Sequence, residues 1–334
     1  MYNYNISFAT KEDLKDLKNF INNHWKKNHI FTSNDDLLNF QHKSNNHYNF
    51  VISRNSELII NGILGFIPTS HFDSSLKKNN CLWLAIWKVD EKISKPGLGL
   101  ALLRWLEERV DHDFIGTVGQ NEKVNFVYKA LGYNVGKLNH YYVLNSNMKE
   151  FKILKNLKMK NSNDSMLAKQ KIEKISINDI SNSFFRNFPI KSKDYIINRF
   201  LNHPFYKYHL YGVNIDKKLE LVFIIRQITV SNSSCLRIVD MYGNFQNLKC
   251  ESLDFNQILD KYNSEYIDCL NYGVSENYFK SLGFHLKDSE IIIPEYFEPF
   301  VQENRDTLFA FKPKTENYYI FKADCDQDRP NNIL

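Results

Sequence analysis

Apolar positions along the chain keep switching between the periods of a strand and a helix. "NISFATKEDLKDLKNFINNHW" opens as a short strand. Thr10 follows as an N-cap with acidic residues behind it, and Leu14, Leu17, Phe20 and Ile21 then share one helical face. "YNFVISRNSELIINGILGFIP" predicts a hairpin turning at Asn55 and Ser56, and "CLWLAIWKVD" is apolar almost throughout, which predicts a central strand covered on both faces. Next comes "SKPGLGLALLRWLEERV", two glycines in front of an amphipathic helix. "DFIGTVG" predicts a further strand, and "NEKVNFVYKALGYNVGKLNHYYVL" a helix ended by Gly132 and then a closing strand or hairpin.

Beyond a polar, lysine-rich stretch the order of elements starts again. "EKISINDISNSFF" echoes the opening, "YHLYGVNIDKKLELVFIIRQITV" the hairpin, "CLRIVDMYG" the central strand, and "NYFKSLGF" echoes "NFVYKALGY". This predicts a divergent second copy of one α/β (α+β) unit, each copy a mixed, mostly antiparallel sheet flanked by helices. The expected division is 1–145 for the first domain, 146–172 for a linker carrying a strand-like "FKIL", and 173–334 for the second.

Charge narrows the partners only slightly. Forty-three Lys and Arg against 38 Asp and Glu give a net charge of +5 with no basic block, which favours a small anionic ligand over nucleic acid. Cys81, Cys235, Cys250, Cys269 and Cys325 show no paired spacing and read as reduced thiols. No leader and no run long enough to span a bilayer is seen, so the expected location is cytoplasmic, without membrane insertion. Histidines lack metal-ligand spacing, and no metal is expected.

The chemistry begins at the glycine turn. A helix N-terminus offers unpaired N–H groups and partial positive charge, so a glycine-lined approach to one suits a phosphate; a tight structural turn is the other reading. The central strand, the turn "SKPGLGL", Asn121 after the next strand and "NFVYKALGY" in that order resemble the GNAT superfamily of acyl-CoA-dependent N-acetyltransferases over about residues 1–145. Two departures from its pattern are Ser94, where Arg or Gln is usual, and Pro96, which has no N–H to donate.

The resemblance implies acetyl-CoA as co-substrate. Its diphosphate would lie on the N–H groups of Gly97, Leu98, Gly99 and Leu100, with Lys95 and Lys88 adding charge and Asn121 nearby. Trp87, Lys88 and Val89 would bind pantetheine and the thioester oxygen, and Tyr128 would protonate the leaving thiolate. For the base that takes the amine's proton, His24 and His29 are candidates, with His71 near the acceptor; each also reads as a structural histidine.

The second copy carries Phe279 where the first has Tyr128, and no GxG turn follows "DMYG". It is therefore expected to have lost CoA binding. Its Arg237, Asp240, Asp268, Tyr296, Asn304, Asp326, Asp328 and Arg329 read either as intramolecular pairs and caps or as an acceptor pocket near the face shared by the halves. The ending resembles proteins of bacterial surface-polysaccharide clusters, which implies a nucleotide-linked amino sugar as the amine acceptor. The alternatives are a FemX-like aminoacyl transferase and a non-catalytic acyl-CoA or nucleotide-sugar binding protein, and CoA binding separates these cases.

Overall fold

A computed structural model describes residues 4–157, 170–246, 252–313 and 318–331. In chain order the first half holds β1 (Asn5–Ala9), α1 (Leu14–Phe20), α2 (Ile30–Ser33), α3 (Asp35–His42), β2 (Tyr48–Arg54), β3 (Ile60–Pro68), β4 (Cys81–Val89), α4 (Leu98–Glu107), β5 (Phe114–Val118), α5 (Asn125–Ala130), β6 (Asn134–Lys137) and β7 (Asn139–Leu144). Then come β8 (Gln170–Lys171), β9 (Glu173–Lys174), α6 (Lys193–Ile196), β10 (Tyr208–Ile215), β11 (Lys218–Val230), β12 (Ser233–Gly243), β13 (Leu253–Asp254), α7 (Asn256–Lys261), β14 (Tyr266–Tyr272) and α8 (Glu276–Ser281). Short strands close the chain: β15 (His285–Leu286), the β16 (Tyr296–Phe297) and β17 (Phe300–Val301) hairpin, β18 (Leu308–Pro313) and β19 (Ile320–Phe321).

Two mixed sheets result, ordered β1-β2-β3-β4-β5-β18-β6 and β15-β7-β14-β12-β11-β10-β9. Each is antiparallel except at one parallel junction, β4 with β5 and β12 with β14. β2 and β3 are buried on both faces because Phe50, Ile52 and Ile63 pack under α1 to α3, while Val51, Leu64 and Phe66 pack under α4. α4 buries Leu98, Leu102, Leu103 and Leu106, each stabilising the fold by about 1.5–3 kcal/mol.

Of the closing strand or hairpin expected after Gly132, strands form but no hairpin. β6 and β7 enter different sheets: β7 pairs with β14 and β15, and β18 comes back from near the C-terminus to lie between β5 and β6. Leu138, the residue between them, is buried, and its N–H bonds the Thr307 carbonyl at 2.9 Å just before β18. The sheets thus exchange strands across residue 145. They also share a core in which Trp83 and Phe114 join the cluster of Val222, Ile224 and Val239.

The strand-like "FKIL" is not a strand. The N–H groups of Lys152, Ile153 and Leu154 converge on the fully buried Glu265 carboxylate at 2.7–3.3 Å, a nest that satisfies the charge. Residues 158–169 of the expected linker and Cys250 lie outside the described residues. Cys81, Cys235, Cys269 and Cys325 are buried free thiols. Among the described residues no helix is long and apolar enough to cross a membrane.

Candidate active site

The parallel ladder between β4 and β5 stops after Trp83–Gly116. On its other side β4 carries an extra residue, since Leu64 pairs with Trp87 but Phe66 with Leu84. Such a bulge bends a strand away from its neighbour. From Leu84 to Val89 the β4 backbone is free of β5, and a wedge opens toward the N-terminus of α4.

At the wide end of this wedge the two glycines have different reasons. Gly97 caps α4 with φ +84°, and a Cβ there would meet only Tyr4 Oη at 3.7 Å, so its outer face is open. Gly99 instead lets the helix lie on Trp87, whose indole Nε1 would be 3.4 Å from an added Cβ and donates to the Gly99 carbonyl at 3.2 Å. The turn is held by Tyr4, which donates to the Pro96 carbonyl at 2.7 Å, and by Ser94, which donates to the Asn61 carbonyl at 2.8 Å. Of the four N–H groups expected to hold a diphosphate, that of Leu98 is directed at the Lys95 carbonyl at 3.3 Å. Those of Gly99 and Leu100 are in the first turn, where a helix supplies no partner. Lys88 lies 3.3 Å from Glu91, and Val89 is paired with Gly62. The Asn121 side chain caps the next turn by accepting from Lys123 N at 2.9 Å, so its carbonyl oxygen is used locally.

Tyr128 comes from α5 to the same place. It is buried against Trp87, with ring centroids 5.8 Å apart. Burial and then the neighbouring Cys325 push its phenol above the ordinary range, while a hydrogen bond with the Thr117 side chain on β5 pulls the other way. Its proton is held more tightly than that of an exposed phenol.

The three histidines have different surroundings. His24 is half-buried, stacked on Phe20 with ring centroids 4.6 Å apart and 3.8 Å from Asp90. His71 has both nitrogens engaged, Nε2 with the Phe40 carbonyl at 2.8 Å and Nδ1 with Asn49 at 3.3 Å. His29 Nε2 accepts from Arg329 at 3.0 Å. Burial, then the Arg329 charge, brings the His29 imidazole down to about 3, too weak to take a proton from an amine.

The tail from Lys322 to Asn331 joins the wedge to a second space. Cys325, held at φ +64°, donates its thiol to the Leu84 carbonyl at 3.1 Å, at the narrow end of the wedge. Gln327 lies against Gly119 at the end of β5, where an added Cβ would be 2.2 Å from its side chain. On the far side of this segment is a cavity of about 340 Å³. Arg237, Tyr296, Asp326, Asp328 and Arg329 line it, so five of the eight acceptor candidates in the second half share one wall.

The other three serve the fold. Asp268 stands behind Arg237, accepting from it at 2.9 and 2.6 Å and from His140 Nε2 at 2.9 Å. Burial would raise its pKa, but the Arg237 guanidinium holds the Asp268 carboxyl well below the usual range. Asp240 is paired with the buried Lys191 at 2.7 Å, away from this cavity. Asn304 closes a loop between Ile291 and Ile293.

Sequence reasoning missed Lys322, Arg226, Glu295 and Glu298 on the cavity wall, and Cys325 and Thr117 beside Tyr128. Arg226 did leave a signal, a lone cation inside the apolar run "LVFIIRQITV". It bonds Asp328 through two nitrogens, at 3.2 and 2.7 Å.

The chain is similar in structure to a GCN5-related N-acetyltransferase from Anabaena variabilis ATCC 29413, at 12% identity over 94% of this chain and 73% of that one, with a TM-score of 0.54. A probable N-acyltransferase of unknown function from Enterococcus faecalis V583 is similar at 10% identity over 92% and 72%, with a TM-score of 0.51. No protein-family model and no curated protein matches the chain. At these identities the likeness is one of fold: the chain has the fold of GCN5-related N-acetyltransferases.

Proposed function

We propose that the protein is an acyl-CoA-dependent N-acyltransferase that moves an acetyl group from acetyl-CoA to the amine of a nucleotide-linked amino sugar, in bacterial surface-polysaccharide synthesis. The observation that carries the transferase reading is a single line of features. An open glycine cap on α4, the unpaired edge of β4, the Tyr128 phenol and a polar cavity follow one another. The diphosphate would lie on the first turn of α4 beside Lys95, and pantetheine along Trp87 to Val89. The amine would reach the thioester carbonyl from the cavity side.

In that step the amine nitrogen bonds the carbonyl carbon, the carbon–sulfur bond breaks with its electron pair on sulfur, and the amine's proton passes through water to the thiolate, giving the amide and free CoA. A thiol titrates near ~8.5 and a phenol near ~10, so a Tyr128 raised still further stabilises the departing thiolate by hydrogen bonding more than by full proton transfer.

The two halves read as a duplicated fold with one donor site. In the second half the space between β12 and β14 is taken by the chain itself, with Phe321 paired to Asn271 and Ala323 N–H bonded to the Val239 carbonyl at 3.1 Å. Phe279, in the place of Tyr128, stacks on Tyr141 at 3.9 Å. These features support a role for the second half in holding the acceptor.

The test is calorimetric titration with acetyl-CoA and CoA on the wild type and on Lys95→Glu, an exposed charge reversal beside the turn. Micromolar binding weakened about tenfold in the variant is expected, a magnitude in keeping with a phosphate contact at a helix N-terminus. Absence of binding would remove the donor and bring forward the aminoacyl-transferase or non-catalytic reading.

A further inference from the structure

Lys322 is the outlier on the cavity wall. Its neighbours are neutralised: Arg226 by Asp328 at 2.7 Å, Arg237 by Asp268 at 2.6 Å and Arg329 by Asp326 at 3.2 Å. Among the described residues Lys322 has no carboxylate at ion-pair distance, although it is only 2% exposed. Its Nζ donates to the Thr307 hydroxyl at 3.2 Å and faces the Tyr296 ring at 5.2 Å. The Thr307 hydroxyl spends its own proton on Glu295, so it receives from Lys322 only as an acceptor. Two of the three ammonium protons are left for the cavity.

The nearest opposite charge is Glu295, which Lys322 reaches only through the Thr307 hydroxyl. A buried ammonium with no anion in direct contact costs several kcal/mol, and folded proteins relieve this by deprotonation or by an anion. Burial pushes the Lys322 amine down to about 8, which leaves it mostly charged at neutral pH and short of a partner. We infer that the cavity binds a molecule through an anionic oxygen group, a phosphate or a carboxylate, seated on Lys322 Nζ. The inference rests on the acceptor-cavity reading above and makes the acceptor an anionic amine.

Inorganic pyrophosphate and succinate are the probes, titrated calorimetrically at fixed ionic strength into the wild type, Lys322→Met and Lys95→Glu. Met keeps the length of the stem, and Glu295 keeps Thr307 and Lys287 beside it, so the variant is expected to fold. Binding of one probe to the wild type, weakened tenfold or more in Lys322→Met and kept in Lys95→Glu, is the expected result. Pyrophosphate as the ligand would assign a phosphate-bearing acceptor, and succinate a carboxylate-bearing one. Equal affinity in wild type and Lys322→Met, or no binding of either probe, would overturn the inference. Acetyl-CoA affinity is expected to be the same in Lys322→Met as in the wild type. If acetyl-CoA fails to bind while a probe still depends on Lys322, the donor reading falls and the anion site stands.

Discussion

The Cys325 thiol donates to the Leu84 carbonyl at 3.1 Å, so a residue nine positions before Leu334 closes the narrow end of the wedge in the first sheet. An acyl group entering from the α4 side would meet that thiol. Cys325→Gly removes the plug, and φ +64° suits glycine. Longer acyl-CoAs are then expected to gain affinity relative to acetyl-CoA by about tenfold, the usual worth of a small apolar space. Calorimetry with acetyl-, butyryl- and octanoyl-CoA measures this, and an unchanged ranking would place the acyl end elsewhere. Burial raises the thiol's pKa well above its ordinary value, so wild-type Cys325 is also expected to resist iodoacetamide in the folded protein.

The strand exchange sets a limit on dissection. β18 supplies the ladder partner of both β5 and β6, and β7 that of β14 and β15. Residues 1–150 alone would expose two strand edges and the Trp83–Phe114 side of the shared core. Such a fragment is expected to aggregate or to melt without a cooperative transition, as followed by circular dichroism. A fragment with a sharp thermal transition would mean that β18 is dispensable.

How much of this was legible depended on whether a contact is local. The β2–β3 and β10–β11 hairpins, the central strand β4, the glycine turn and Gly132, at φ +80°, are written in short-range pattern. Strand exchange is not local: β6 and β7 are adjacent in sequence and read as a hairpin, yet they pair with partners far along the chain. The same reason hid Lys322 and Cys325, whose neighbours Thr307 and Leu84 lie 15 and 241 positions away. Charged residues in apolar strands stand out in the sequence, but only packing shows that Arg237 lines the cavity while Asp268 braces it from behind. His29, a base candidate by its place between the first helices, is disarmed by burial and then by Arg329 from 300 positions away.

Tyr128 lies against Trp87 and near Thr117, beside the wedge and away from the proposed diphosphate turn. Tyr128→Phe is therefore expected to leave the acetyl-CoA dissociation constant within about twofold and to lower turnover by about ten- to a hundredfold, the lower part of the range for losing a general acid. Steady-state rates with a cavity-binding amine, together with calorimetry, separate the two effects. Loss of acetyl-CoA affinity with turnover unchanged would make Tyr128 a packing residue.

His29, His42 and His203 are each brought down to about 3, in every case chiefly by burial. An unfolded histidine titrates near ~6.5, so the unfolded state binds more protons between these limits. Stability is then fully present above about pH 6.5 and is lost as pH falls toward 3, and each such histidine contributes a slope of up to about 1.4 kcal/mol per pH unit in that window. His42, wholly buried between Phe31 and Phe50, with ring centroids 5.2 and 4.5 Å away, is the cleanest probe. His42→Met removes its titration but also its contact with the Phe66 carbonyl, 3.2 Å from Nδ1. The variant is expected to be less stable at pH 7 and to lose less on acidification. Urea unfolding at pH 7.0, 6.0 and 5.0 reads both quantities, and parallel pH dependences for wild type and variant would show that His42 is not a source of the acid sensitivity.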